Sequence, residues 1–254
     1  VVAHASAIDT STNPIAISTT TGGGTLSLAT DTSVDAFKII SSSSNAATII
    51  SDRATPGEGI THVLGEATLN RNTFTFAAGA NVTSGTAGIS LASVGLGAGF
   101  PGGTTVLNPT TATLTIAGGV GSTVNSYPKT LELGGTSTGN TIQGAVSNGN
   151  NVVSVTKSNT GTWSLTGANT YSGDTTVSGG TLSLGQVNPS NESSTISIIS
   201  GAVLDLAFAG TDTVDKLFID GVQQPAGLYT SAHSSGVFTG GGTLQVTAGP
   251  SGYS

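Results

Sequence analysis

Residues 157–185 read KSNTGTWSLTGANTYSGDTTVSGGTLSLG. Within them apolar residues stand two apart, in Trp163-Ser164-Leu165 and Leu182-Ser183-Leu184. That spacing puts both apolar side chains on one face of an extended chain and the serine on the other. Gly, Asn and Asp separate the bursts and mark turns. The same signature recurs outward along the chain, in Leu26-Ser27-Leu28, Phe74-Thr75-Phe76, Leu114-Thr115-Ile116, Leu131-Glu132-Leu133, Ile196-Ser197-Ile198, Leu204-Asp205-Leu206 and Leu244-Gln245-Val246. No window carries apolar residues at i, i+3, i+4 and i+7, so helices are not expected.

Some phrases repeat at greater length. Gly24-Thr25-Leu26-Ser27-Leu28 returns as Gly180-Thr181-Leu182-Ser183-Leu184, and more loosely as Gly242-Thr243-Leu244-Gln245-Val246. Self-similar short strands mark a repeat architecture. A sandwich or barrel also uses short strands, but its solvent face is usually charged. Here the outward positions are Ser, Thr and Asn, which can bond from rung to rung of a stacked ladder. The reading is an all-β chain: a right-handed parallel β-solenoid (β-helix) with a distinct C-terminal cap, for which an antiparallel build is one option. At roughly 20–25 residues per coil the chain makes about ten to twelve coils, a rod about 50 Å long with strands about 4.8 Å apart.

Composition narrows the function. The 254 residues include six Lys plus Arg, thirteen Asp plus Glu, and no Cys or Met. Without Cys there is no disulfide framework, zinc finger or thiol catalyst. A net charge of −7 with scattered cations leaves no footprint for nucleic acid. No apolar run is long enough for a membrane-spanning helix. Gly, Ser and Thr fill 113 positions. Such a chain can be disordered, but the abundance of β-branched residues favours strands. Residues 1–8 show no basic secretory leader. The scarcity of charge and of helix formers fits a mature exported protein.

Three regions differ in texture. Residues 1–128 are the least regular, with Ser41–Ser44 and Gly95–Gly103 read as loops. Residues 129–187 hold the densest repeat phrases. Residues 188–254 concentrate acids, with Asp205, Asp212, Asp215 and Asp220 within sixteen positions, and are read as the cap. Asp220-Gly221 between Leu217-Phe218-Ile219 and Val222 is a hairpin signal.

The central phrase resembles the autotransporter-associated β-strand repeat of bacterial passenger regions. The matching positions are Gly161, Trp163, Leu165, Gly167, Asn169, Tyr171, Gly173, Thr175, Val177, Gly180, Thr181, Leu182 and Leu184. Residues 129–156 and the closing phrases from Leu217 and Gly240 resemble the flanks of such repeats. The resemblance implies an extracellular parallel β-helix with surface display, adhesion or structural roles, usually without catalysis in the repeat. Such proteins carry a C-terminal translocator barrel, and no alternating ten-residue strands of that kind occur here. On the residues themselves, Trp163, Leu165, Val177, Leu182 and Leu184 are expected to point inward. Asn169 is expected in a turn, bonding to backbone two residues on. Tyr171 is expected to pack over a corner with its hydroxyl at the surface.

The search for chemistry returns structural readings. His4, His62 and His233 sit in no nucleophile frame; His62 is read as a strand-edge residue and His233 as a solvated loop residue. The four C-terminal acids are read as a solvated acidic cap. Asp212, Asp215 and Asp220 are the weak candidates for calcium, since oxygen-rich loops bind hard cations, though their spacing matches no calcium motif. No cofactor is expected, and the chain is not expected to be an enzyme. What remains is the backbone. Residues 1–30 hold one charge, Asp9, beside the runs Ile15-Ala16-Ile17 and Leu26-Ser27-Leu28. Ile15, Ile17, Leu26 and Leu28 are therefore the assembly candidates for strand addition to a second copy. Head-to-tail contact of that kind builds filaments. The expected function is a self-assembling extracellular fibre or cell-surface subunit. The alternatives are an adhesin or glycan-binding rod, with surface glycans as partners, and a carbohydrate-active β-helix enzyme, which the lack of Lys and Arg opposes.

Overall fold

The computed structural model describes residues 14–17, 23–34, 36–41, 45–97, 103–188, 192–233 and 235–250. The described residues form strands and turns and include no helix. Strands one coil apart pair in parallel and stack into a β-solenoid.

Three ladders run along it. The first joins Gly24–Ala29, Ala47–Asp52, Asn72–Ala78, Thr104–Pro109, Lys129–Leu133, Val153–Lys157, Thr175–Val177, Thr195–Ile198 and Lys216–Ile219. The second runs from the front half of Thr61–Leu69 through the front of Ala87–Leu96, then Ala112–Ile116, Asn140–Ile142, Thr162–Leu165, Thr181–Leu184, Val203–Leu206 and Phe238–Gly240. The third takes Ile15–Ala16, Ile39–Ile40, the rear halves of those two long strands, Val120–Ser122 and Val146–Gly149. It reaches the repeat as a single bridge from Ser147 to Thr170.

Alternation along each strand sends every second side chain inward. The inward positions line up in columns, because parallel register keeps like positions over one another. In the first ladder one column runs Phe74, Leu107, Leu133, Lys157, Val177, Ile198 and Ile219. Its aliphatic and aromatic members are buried, at 8% exposure or less. Glycines mark the corner between the second and third ladders. Gly118, Gly144 and Gly167 stack there so closely that a Cβ on Gly144 would strike Gly118, and one on Gly167 would strike Gly144. Only residues without a side chain fit that corner.

Coil length is less uniform than the repeat phrases suggest. Val155 pairs with Thr175, Thr175 with Ile196 and Ile196 with Leu217, steps of 20 or 21 residues. Earlier coils are longer: Ala47 pairs with Phe74, and Asn72 with Thr105, 33 residues on. Among the described residues the longer coils leave nine parallel strands in the first ladder, against the ten to twelve coils expected. The extra length feeds the third ladder, a second strand after the corner that the short repeat coils reduce to one bridge. The reading of Gly95–Gly103 as a loop is corrected in part, because Gly95 and Leu96 belong to the strand Ala87–Leu96. Residues 98–102 lie outside the described residues.

The ladders run through residues 195–219 in parallel, and among the described residues the first antiparallel pairing follows Asp220-Gly221. Both residues have positive φ, 52° and 77°, the backbone of a tight hairpin turn. Val222–Gln223 then pairs antiparallel with Lys216–Ile219, and Gly227–Tyr229 pairs antiparallel with Thr243–Val246. Thr243–Val246 also pairs in parallel with Thr211–Val214, so the end of the rod mixes both directions.

Candidate functional site

The coils around Trp163 hold polar residues set into apolar columns. Lys157 stands in register between Leu133 and Val177 and is fully buried. Its Nζ donates to the carbonyls of Ser158 (2.6 Å), Asn159 (3.1 Å) and Gly179 (3.1 Å). Asn159 has φ 56°, a left-handed corner conformation, and its carbonyl lies within reach of the ammonium. One cation thus ties two successive corners, satisfying three carbonyls that the turns leave without backbone partners. Burial pushes the Lys157 pKa down to about 8.

The second ladder has its own insertion. The column Leu114, Asn140, Trp163, Leu182, Leu204 and Phe238 contains one amide. Asn140 Oδ1 accepts from the Leu114 amide at 3.0 Å and the Ser137 hydroxyl at 3.1 Å. Its Nδ2 donates to the carbonyls of Ser137 (2.9 Å) and Thr162 (3.0 Å). The side chain therefore links the coil before it to the coil after it. Trp163, also fully buried, donates from Nε1 to the Gly134 carbonyl at 2.9 Å.

A third group fills the corner after Leu165. Asn169 is buried, and its Oδ1 accepts from the Val146 amide of the previous coil at 2.9 Å. The expected local turn bond is thus corrected to an inter-coil bond. The side chain takes over where the third ladder runs out of strand. Tyr171 is also corrected: its ring and hydroxyl are buried, with the hydroxyl 2.9 Å from Thr175 Oγ1. Thr175 faces inward between Val155 and Ile196, so an apolar column supplies the partner the hydroxyl needs. Burial pushes the Tyr171 pKa up to about 12, with the Asp212 charge adding to the rise and the Thr175 bond opposing it. The Tyr171 carbonyl accepts from Asn188 Nδ2 at 2.9 Å, and Asp212 Oδ1 accepts from the Asn188 amide at 3.1 Å.

Among the remaining repeat positions, Leu165, Val177, Leu182 and Leu184 are buried. Thr181 is half-buried, with its side chain on the outer face. Gly161 and Gly173 donate to carbonyls one coil back, at Gly135 and Val153. A Cβ on Gly180 would strike the Gly161 carbonyl.

The acids are solvated only in part: Asp220 is exposed, Asp205 and Asp215 are half-buried and Asp212 is buried. Asp205 accepts from Ser183 (2.6 Å) and Thr239 (2.8 Å), bridging coils. Asp212 is buried, Asp215 pairs with Lys216 at 2.8 Å, and Asp220 accepts from the Ser200 amide at 2.6 Å and its hydroxyl. The three calcium candidates thus serve three separate contacts. No group of three metal-ligating residues occurs among the described residues. His62 is buried rather than at an edge, with Nε2 3.0 Å from the Asp52 carbonyl, and burial lowers its pKa. His233 is not simply solvated. Its ring packs against Tyr229 and Phe238, and Nδ1 lies 2.7 Å from Ser235 Oγ. His4 and Asp9 lie outside the described residues. Of the assembly candidates, Ile17, Leu26 and Leu28 are buried and Ile15 is half-buried. Their side chains serve this chain's own core, so only the strand backbone is left to contact a second copy.

The signal for the buried lysine and asparagines lay in the column positions. Lys157 falls in phase with Val153 and Val155, and Asn140 in phase with Ile142. A polar residue in an inward phase identifies a group that must find partners inside.

Compared with known families, residues 155–184 match the passenger-associated-transport-repeat. The match covers the Lys157, Trp163, Asn169 and Tyr171 contacts described above. No curated protein and no solved structure matches the chain.

Proposed function

We propose that the chain is a non-catalytic structural rod of an exported surface protein, and that it associates with copies of itself through strand edges. The observation that carries the reading is where the ionisable and polar groups go. Lys157, Asn140 and Asn169 are spent on bonds between coils and the Tyr171 hydroxyl on a bond within its own coil, and all four are buried. The passenger-associated repeat adds the expectation of export and display. No helix among the described residues is long and apolar enough to cross a membrane.

Self-association rests on the strand Gly24–Ala29. Among the described residues it pairs on one side alone, with Ala47–Asp52, and its outward residues Thr25 and Ser27 bring no charge. An uncharged edge of six residues is a template for strand addition. The other end offers Val222–Gln223 and Phe238–Gly240 as edges for a head-to-tail contact. Sedimentation velocity over a range of concentrations, with negative-stain microscopy, tests this. Growth into filaments that Thr25→Lys suppresses is the expected result. A chain that stays monomeric at high concentration overturns the assembly reading.

A glycan-binding rod is the second reading, favoured by one observation: an open, hydroxyl-lined cavity on the third ladder, between Glu66 and Thr123.

A further inference from the structure

The cavity lies where the outward column of the third ladder loses its side chains. That column runs Thr68, Gly95, Gly121 and Ser147. The two glycines lower the floor there, with the Thr123 methyl and the Ser147 hydroxyl leaning in over it, and the cavity above measures about 440 Å³. Ligand clefts commonly hold about 300–1,000 Å³.

These glycines are not demanded by the fold. Neither has a positive φ. A Cβ on Gly95 would meet the methyl of Thr123 at 2.7 Å, and one on Gly121 the hydroxyl of Ser147 at 2.9 Å. The nearest obstacle in each case is the end of a side chain that can rotate away, and at Gly121 the Ser147 carbonyl, at 3.3 Å, would also have to give by a few tenths of an ångström. The corner glycines Gly118 and Gly144 differ, since a Cβ there would strike backbone. Glycine inside a strand weakens it and often marks a close approach by a ligand. A register shift between Gly121 and Ser122 adds a bulge at the same place, a feature that re-aims side chains beside sites.

The walls fix the ligand's chemistry. Glu66 supplies a carboxylate, held at 2.8 Å by Lys38, so the rim offers an acceptor and a donor with no net charge. Ser93, Thr68 and Thr123 add hydroxyls. A single neutralised carboxylate suits neither an anion nor a divalent cation, and walls that mix these hydroxyls with Ala67, Val94 and glycine suit a molecule with both a polar edge and an apolar face. Neutral sugar rings fit: adjacent hydroxyls can bridge the carboxylate, while the C–H face lies on the glycine floor.

We infer that the Gly95–Gly121 groove binds a neutral saccharide, with Glu66 as its main hydrogen-bond acceptor. The inference rests on the second reading, that the rod binds glycans. The test is a glycan array of neutral hexose and N-acetylhexosamine oligosaccharides beside sialylated and uronate-bearing ones, probed with the full chain. The best neutral binder is then titrated into wild type, Glu66→Gln and Gly121→Thr. The expected result is binding of neutral glycans, at least tenfold weaker with Glu66→Gln and lost with Gly121→Thr, at unchanged melting midpoint for the exposed Glu66 variant. No glycan bound by wild type overturns the glycan reading itself. Neutral glycan binding that both variants retain overturns the groove and leaves that reading standing. A preference for acidic glycans overturns the ligand class.

Discussion

Lys157 and Leu133 occupy the same inward column one coil apart, and the lysine keeps its place in that apolar stack by donating to three corner carbonyls. The arrangement has a pH signature. Lys157 holds its proton to about pH 8 when folded, against 10.5 for an ordinary lysine. Between those values the unfolded chain binds more protons, so stability rises with pH through that window and the gain disappears as pH falls to 8. Urea midpoints for wild type should climb from pH 8 to 10, on the order of 1–3 kcal/mol. Lys157→Met should remove most of the climb, leaving the share of Lys129, whose pKa burial also lowers. It should also cost about 1–3 kcal/mol at pH 7, because buried carbonyls lose their donor.

Tyr171 acts in the opposite direction. Its hydroxyl titrates at about 12 in the folded chain and at 10 when ordinary. The contribution is complete below pH 10 and is lost as pH rises from 10 to 12. Wild type should therefore be most stable near pH 10, between the two windows. Tyr171→Phe should shrink the alkaline fall, leaving the part due to Tyr229 and Lys216, whose pKa values are also raised, and lower stability at pH 7 by about 1 kcal/mol, as Thr175 Oγ1 loses its partner. Thermal melts at half-unit pH steps read both limbs.

The strands and the parallel stacking were legible because they depend on a period of two, which Leu182-Ser183-Leu184 and its kin state openly. The Asp220-Gly221 turn was legible for a similar reason: its residue types tolerate positive φ. Inter-coil bonds were not. Whether Asn169 bonds two residues on or to Val146, 23 residues back, depends on coil length, and no local pattern carries that. The Tyr171 hydroxyl was misplaced because its partner, Thr175, belongs to an inward column that reads apolar elsewhere. The groove was hidden because Gly95 reads as a turn until the register with Gly121 puts both in paired strands.

Asn140 makes four hydrogen bonds in a column where its neighbours on either side are Leu114 and Trp163. Asn140→Leu fits the column by size and polarity, and a purely apolar account predicts that it stabilises. The bonds argue otherwise, since the Leu114 amide and the Thr162 carbonyl would lose their partner inside. Each such group costs about 1–3 kcal/mol, so the variant should lose roughly 3 kcal/mol. Equilibrium denaturation measures the loss, and faster hydrogen exchange at the Leu114 amide would locate it.

Trp163 tests whether the rod behaves as a one-dimensional stack. Its ring fills the space between Asn140 and Leu182, and its Nε1 reaches the Gly134 carbonyl. Trp163→Ala leaves a cavity and an unmatched carbonyl, and a loss of about 3–5 kcal/mol is expected. In a solenoid each coil touches only its neighbours, so the damage should stay local. Hydrogen exchange should quicken in Lys129–Leu133, Asn140–Ile142 and Thr181–Leu184, the strands one coil away or beside the Gly134 carbonyl. Ala47–Asp52 and Asn72–Ala78, several coils distant, should keep their wild-type rates. Uniform acceleration along the whole chain would mean that the ladders unfold as one cooperative unit, and the Trp163 contacts would then hold the entire rod.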